Sequence, residues 1–303
     1  IIPTLELTIG QVVTRDGKIV EGYKALLTEM ERMRRHGFTE GEWERAKNNI
    51  LSSLESQYNS REDRRHSRFA NQYLDNFRSG TPIYDAETEY QLDKQIVEMI
   101  SCDAINATVK QMYEPLKNVV IVANSPKKDG VAVPTEAELI GALKAAVAAE
   151  VEPFKDNVVK EPLISDQSAL KGSKVAKTVK NESLGFTEWT LENGIKVVIK
   201  QTPYQADNIG VEATSEGGAA VFSDAEYYSA QMLGGVMGMS GISKFSASDL
   251  RKQLSGNTAS AGIGVSTYEH VVTANAALKD VETMFQLLYL QFTAPRFSED
   301  DFT

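Results

Sequence analysis

Hydrophobic and polar positions follow two rhythms along this chain. Through residues 1–124 apolar side chains recur mostly at helical spacing, and beyond residue 183 stretches of alternation are interleaved with helical ones. Leu5, Leu7 and Ile9 alternate with polar neighbours and predict a strand, followed by a polar turn at Thr14-Arg15-Asp16-Gly17. A helix is predicted next, with Ile19, Tyr23, Leu26, Met30 and Met33 on one face and Gly37 at the left-handed position that ends it. A second helix, from Glu40 to about Tyr58, turns Trp43, Ile50, Leu54 and Tyr58 inward. A third puts Phe69, Tyr73 and Phe77 one turn apart and stops near Gly80-Thr81-Pro82. Helices over Glu87–Ile100 and Asp103–Tyr113 follow, and Asn118–Asn124 predicts a fully buried strand. Strand, helices, strand is the back end of an α+β domain whose front end is missing.

Residues 125–182 read as an inter-domain linker. Pro134-Thr135-Glu136 starts an Ala-rich helix through Ala149, and an extended stretch with Pro153, Pro162, Ser165 and Gly172 follows, partly ordered by packing. The second domain opens on a hairpin: Trp189 and Leu191, then Ile195, Val197 and Ile199, flank Asn193-Gly194, the pair favoured in a type I′ turn. Ile209, Val211 and Ala213 predict a third strand ending at Gly217-Gly218, and a helix covers about Asp224–Met237. Ser246 caps a further helix carrying Leu250 and Leu254 and closed by Gly256. Strands around Ala259–Val265 and Val271–Ala277 and a helix over Val281–Phe292 complete a largely antiparallel α+β pattern.

One phrase occurs twice. Phe38-Thr39-Glu40-Gly41-Glu42-Trp43 returns as Phe297-Ser298-Glu299-Asp300-Asp301-Phe302. Each copy has an N-cap hydroxyl (Thr39, Ser298) with an acid three positions on (Glu42, Asp301), the signature of a capping box. A repeated helix-joining device predicts a duplicated parent, and a chain ending on a cap predicts a fragment of something longer.

Composition adds exclusions. With 42% hydrophobic and 24% charged residues the chain is ordinary for a globular protein. A net charge of −10 argues against nucleic acid as a partner, because phosphate neutralisation needs a basic face. The longest strongly apolar run, Val119–Ala123, is far below a membrane span. Ile1-Ile2-Pro3 begins no recognisable signal peptide, so any leader is expected upstream. The single cysteine, Cys102, makes no internal disulfide, and its acidic neighbourhood argues against a nucleophilic thiolate.

The stretch Leu184-Gly185-Phe186-Thr187-Glu188-Trp189-Thr190-Leu191-Glu192-Asn193-Gly194-Ile195-Lys196-Val197-Val198 resembles the opening hairpin of the second half of long bacterial M16 zinc metallopeptidases, the pitrilysin and processing-peptidase family. Gly217-Gly218, the run Ser240–Leu250 and the helix pair joined at Gly37-Phe38-Thr39-Glu40 resemble the same proteins. The resemblance implies two M16-type domains, each an antiparallel sheet packed with helices, both incomplete and joined by a linker with one helix. It places residues 1–124 at the end of the second domain, 125–182 in the linker and 183–303 at the start of a degenerate third domain. Such proteins close as a clam around a peptide chamber.

The family's chemistry needs His-x-x-Glu-His on a helix, two histidines binding zinc and the glutamate acting as general base. His36, His66 and His270 lie far apart in this chain and cannot form that motif. The equivalent helix after Gly217-Gly218 offers Tyr227–Gln231 in one register and Gln231–Gly235 in another, neither with a ligand set. No catalytic residue and no metal ligand is therefore assigned here, and no substrate-binding residue is known. Zinc is expected in the parent, on ligands upstream of residue 1, with none in this stretch. The resemblance implies a peptide substrate, the upstream catalytic half of the same chain as partner, no membrane segment and a periplasmic parent.

Other polar features have two readings each. The run Arg61-Glu62-Asp63-Arg64-Arg65-His66-Ser67-Arg68 can grip an acidic peptide or its terminal carboxylate, or form a solvated helix face, as charge runs usually do. The paired glycines at 217–218, 234–235 and 262/264 lack phosphate-binding spacing and fit turns and close packing. The function expected is the non-catalytic middle section of a zinc metalloendopeptidase, supplying chamber wall and a peptide-positioning surface. The alternatives are a catalytically dead scaffold or peptide-binding subunit, and an unrelated α+β interaction module.

Overall fold

The computed structural model describes residues 7–112, 116–159 and 161–299. Leu5, Tyr113 and the Asp300–Phe302 end of the second capping phrase lie outside them. Leu7 and Ile9, expected in a strand, are exposed and outside any strand. The chain divides into two compact units: residues up to Lys47 with Ile96–Asn157, and Asn48–Gln95 with Val158 onward.

The first unit is helical. It contains α1 (Ile19–His36), the beginning of α2 (Glu40–Asn59), the end of α4 (Ala86–Met99), α5 (Cys102–Met112) and α6 (Glu136–Ala148). Leu27 of α1 meets Leu143 and Ala146 of α6, with Tyr23, Ile121 and Val147 around them. The apolar side chains expected to face inward, Ile19, Tyr23, Leu26, Met30 and Met33, are only half-buried. The buried line runs instead through Leu27 and Glu31.

Glu31 is fully buried and accepts from Arg34 Nη2 and Arg35 Nε, each at 2.8 Å. Burial alone would raise its pKa, but hydrogen bonds and charge from Arg34 and Arg35 outweigh it and hold the carboxyl below the usual range. Arg35 also donates to the carbonyls of Val147 and Ala149, both at 2.6 Å, and so satisfies acceptors left over at the end of α6.

Helix α2 starts as expected. Thr39 N–H donates to Glu42 Oε2 at 2.9 Å and Glu42 N–H donates to Thr39 Oγ1 at 3.2 Å, a complete capping box. Trp43 is buried behind it and donates its indole N–H to the Ile100 carbonyl at 3.2 Å. Replacing Thr39 with alanine is expected to cost about 1 kcal/mol of stability. Urea unfolding followed by Trp43 fluorescence measures it.

The buried strand expected at 118–124 does not form. Asn118 has a positive φ of 54°, Val120 is 86% exposed, and only Ile121 reaches the α1/α6 cluster. Among the described residues of this unit there is no strand for it to pair with, and an unpaired strand leaves its backbone groups unsatisfied.

The second unit contains α3 (His66–Ser79), most of α2 and α4, and two three-stranded antiparallel sheets. Strands β1 (Val175–Asn181), β2 (Phe186–Leu191) and β3 (Lys196–Ile199) form one, in that order. β1 is a strand where the sequence predicts only extended chain. The β2–β3 hairpin lies where expected, but its turn differs. Leu191 accepts from Gly194 N–H at 2.9 Å and donates to the Ile195 carbonyl at 2.8 Å, giving a three-residue loop. Gly194 alone takes a positive φ (88°), with Asn193 on the ordinary side. This is a type I turn followed by a left-handed glycine, not a type I′ turn.

The other sheet runs β4 (Ile209–Glu216), β6 (Glu269–Ala276), β5 (Ser260–Val265). Helices α7 (Tyr227–Ser240), α8 (Ala247–Gln253) and α9 (Val281–Thr293) complete the unit. Ala274 and Ala276 of β6 pack on Met284, Leu287 and Leu290 of α9, with Ile242 and Phe245 from the α7–α8 connection. Leu163 and Ile164, from the extended stretch, are buried in this same core. The fold class is thus α+β with antiparallel sheets, as the sequence implies. Phe69, Tyr73 and Phe77 of α3 share a face as spaced, and that face is exposed, to 88% at Phe77.

Candidate functional site

Helix α7 is the place where the family resemblance would put a metal-binding motif, and its residues do not fit zinc. Tyr227 hydroxyl lies 3.5 Å from Thr267 Oγ1, and Gln231 Nε2 donates to Tyr227 at 3.3 Å, so the polar side chains satisfy one another. At Gly234 the helix presses on β5: a Cβ there would lie 2.4 Å from the Ile263 carbonyl oxygen. Gly234→Ala is expected to push α7 off β5 and lower stability by about 1–3 kcal/mol, read by chemical denaturation. Among the described residues no three His, Cys, Asp or Glu side chains gather where a metal ion could bind.

The three histidines are dispersed in the structure. His36 Nε2 lies 2.6 Å from the Val151 carbonyl, His66 begins α3, and His270 sits in β6 opposite Ser215 and Val265. Cys102 is buried, and burial first, then the charge of Glu40, pushes its thiol up. Its sulfur donates to the Phe38 carbonyl at 3.4 Å, a structural role.

Two large concavities lie among the described residues of the second unit, with a small one of about 60 Å³ beside Tyr58, Arg64 and Glu89. One, of about 670 Å³, is a shallow tray on the open face of the β4-β6-β5 sheet. Registered pairs floor it: Gly210, Asn275 and Ser260 across one row, Glu212, Thr273 and Gly262 across the next. Alternation along each strand puts these small or polar residues outward and Val211, Ala274 and Ala261 toward the core.

The other concavity, of about 760 Å³, is a polar cleft walled by the second half of α2, the turn at Arg61–Asp63, α3 and Glu89 of α4. The charged run lies here, and it is not one helix face. Arg61–Asp63 form a short 3-10 turn, Arg64 is extended, and helix resumes only at His66. Arg61 stacks over the Tyr58 ring at 4.4 Å, and Tyr58 stacks on Tyr90 with centroids 4.8 Å apart. The Tyr58 hydroxyl bonds to Glu87, which raises the phenol and lowers the carboxyl.

Arg64 turns inward, its side chain 11% exposed, and its Nε is buried without a hydrogen-bond partner. Its nearest anion is Glu89, at 3.8 Å, which Arg68 shares at 3.9 Å. Arg68 also donates to Gln57 Oε1 at 2.8 Å. Sequence reading found the arginines but not Glu89, Gln57 or the burial of Arg64. The recurrence of Arg at 61, 64, 65 and 68 is the signal that was available.

The chain matches two curated relatives. A zinc protease PQQL-like protein of Arabidopsis thaliana is 23% identical over 265 residues, 86% of this chain and 25% of that protein. The probable zinc protease PqqL of Escherichia coli strain K12 is 21% identical over 302 residues, 97% of this chain and 31% of that protein. This chain therefore spans between a quarter and a third of the length of these relatives. The solved structure of the periplasmic protease PqqL from Escherichia coli aligns over 95% of this chain and 32% of that one, at 19% identity and a TM-score of 0.45. No family model matches the sequence. Over most of its length the chain is thus similar to two proteins named as zinc proteases, in line with the resemblance its motifs carry.

Proposed function

We propose that this chain is the non-catalytic middle section of a zinc metalloendopeptidase, forming chamber wall and a surface that positions peptides. Residues 1–124 are the end of the second domain, 125–182 the linker and 183–303 the beginning of a degenerate third domain. The zinc and its general base belong to an upstream half of the same protein, and the parent is periplasmic. One observation carries this reading: α7 is built for close packing on β5, with Gly234 against the Ile263 carbonyl, rather than for holding a metal. The open sheet face supports it too, because small and polar outward residues leave a smooth floor for an extended chain. No helix among the described residues is long and apolar enough to cross a membrane.

In this arrangement the section contributes position rather than bond chemistry: it confines and orients a peptide for attack elsewhere. Zinc titration by calorimetry tests the proposal. The chain alone is expected to show no tight stoichiometric zinc binding and no peptide hydrolysis. Either activity in this chain by itself would overturn the assignment.

A further inference from the structure

We propose that the cleft between α2 and α3 is a carboxylate-binding subsite, in which Arg64, Arg65 and Arg68 hold an acidic group of a bound peptide. This deepens, and rests on, the reading of the second unit as a peptide-positioning surface. An arginine carries five N–H donors and is rarely buried without acceptors. Arg64 is largely buried, yet it makes no hydrogen bond among the described residues, and its Nε has no acceptor at all.

The acids nearby do not supply what is missing. Glu89 lies 3.8 and 3.9 Å from Arg64 and Arg68, beyond hydrogen-bond reach, and serves both guanidinium groups with one carboxylate. Asp63 is occupied by the Ala206 N–H at 3.0 Å. Arg65, exposed at the N-cap position of α3, has no ion pair among the described residues. Asp75 lines the same cleft, but it stands seven residues beyond Arg68, about 10 Å along the helix axis. The Arg64–Arg68 end of the cleft thus sets three guanidinium groups against two carboxylates, Asp63 and Glu89, and keeps a cationic excess there. A planar carboxylate fits a guanidinium fork with two parallel bonds, and the cleft has room for a few residues of peptide.

Two sources share this chemistry: the terminal carboxylate of a peptide and an Asp or Glu side chain. Calorimetry on the full chain separates them with three acetylated, otherwise uncharged octapeptides. One ends in a free carboxylate, one in an amide, and one in an amide with a single internal Glu. Binding of a carboxylate-bearing peptide about tenfold or more tighter than the plain amide is expected. Preference for the first identifies a terminal carboxylate, and preference for the third a side chain.

Arg64→Gln is expected to erase the discrimination, and Arg65→Gln to weaken it several-fold. Arg65 is exposed, so its variant keeps the test decisive should the buried Arg64 variant fail to fold by circular dichroism. Equal affinity for all three peptides, binding of none, or discrimination that is undiminished in the Arg65→Gln chain overturns the subsite. None of these outcomes touches the zinc titration, so the two proposals fail separately.

Discussion

Replacing Phe245 with alanine is expected to remove about 3–5 kcal/mol from the stability of the second unit, the largest effect of any single change considered. The ring is fully buried and sits where the α7–α8 connection enters the core formed by β6 and α9. Its backbone is equally committed. Ile242 N–H donates to the Phe245 carbonyl at 2.9 Å, Phe245 N–H returns to Ile242 at 2.8 Å, and Ser243 N–H reaches the Ala294 carbonyl at 2.9 Å. The loop cannot slide inward to fill the space without breaking these bonds, so most of the cavity stays open. Whole domains are stable by only about 5–15 kcal/mol, which makes such a loss a large share of the total. Urea denaturation followed at Trp189, in the same unit, is the measurement. Phe245→Leu, which keeps most of the volume, is expected to cost well under half as much. A loss below about 1 kcal/mol for alanine would mean that the core is centred elsewhere.

Glu31→Ala comes next, at about 3 kcal/mol in the first unit. The carboxylate is fully buried while Arg34 and Arg35 keep 31% and 25% of their side-chain surface, so water reaches both guanidinium groups when the carboxylate is gone. That places the loss at the low end of what breaking a buried pair costs. Arg35 would also lose its orientation toward the final carbonyls of α6.

The pH response has a definite sign. Arg34 and Arg35 overcome the opposing effect of burial and hold the folded-state pKa of Glu31 below its ordinary value of 4.5. The stabilisation is therefore complete above the unfolded value and drains away as pH falls through the folded one. Unfolding free energy measured at Trp43 should decline more steeply below pH ~4.5 in the natural chain than in Glu31→Gln. Parallel curves would show that the carboxylate does not titrate as a paired group.

Local chemistry made much of this fold readable. The capping box at Thr39 and the cap at Ser246 form as the sequence implies, and Thr135 adds a second box, because each depends on atoms within one turn. Strand positions after residue 183 follow alternation for the same reason. What sequence alone could not supply was the partner. The valines at 119, 120 and 122 look like strand but find nothing to pair with, and Phe69, Tyr73 and Phe77 share a face that nothing in the described chain covers. Asn193-Gly194 marks the hairpin but not its loop length, since a pair of residues favours a turn while the flanking register selects it.

The candidate cleft shows the same limit. Four arginines in eight positions are visible in the sequence, but the break in helix at Arg64, and the inward place of its side chain 3.8 Å from Glu89, far along the chain, are not. Glu31 was legible in principle, with Arg34 and Arg35 at the spacing of a helical ion-pair network. Reading only apolar residues as core candidates passed over it.

The burial of Leu163 and Ile164 beneath α9 and the β4-β6-β5 sheet bears on how this protein can be cut for laboratory work. A recombinant piece starting at residue 183, where alternation begins, would leave two hollows in its interior and strip β2 of the neighbouring strand β1. Expression of the sheet-bearing portion should begin ahead of Val159, so that the strap travels with the body it plugs.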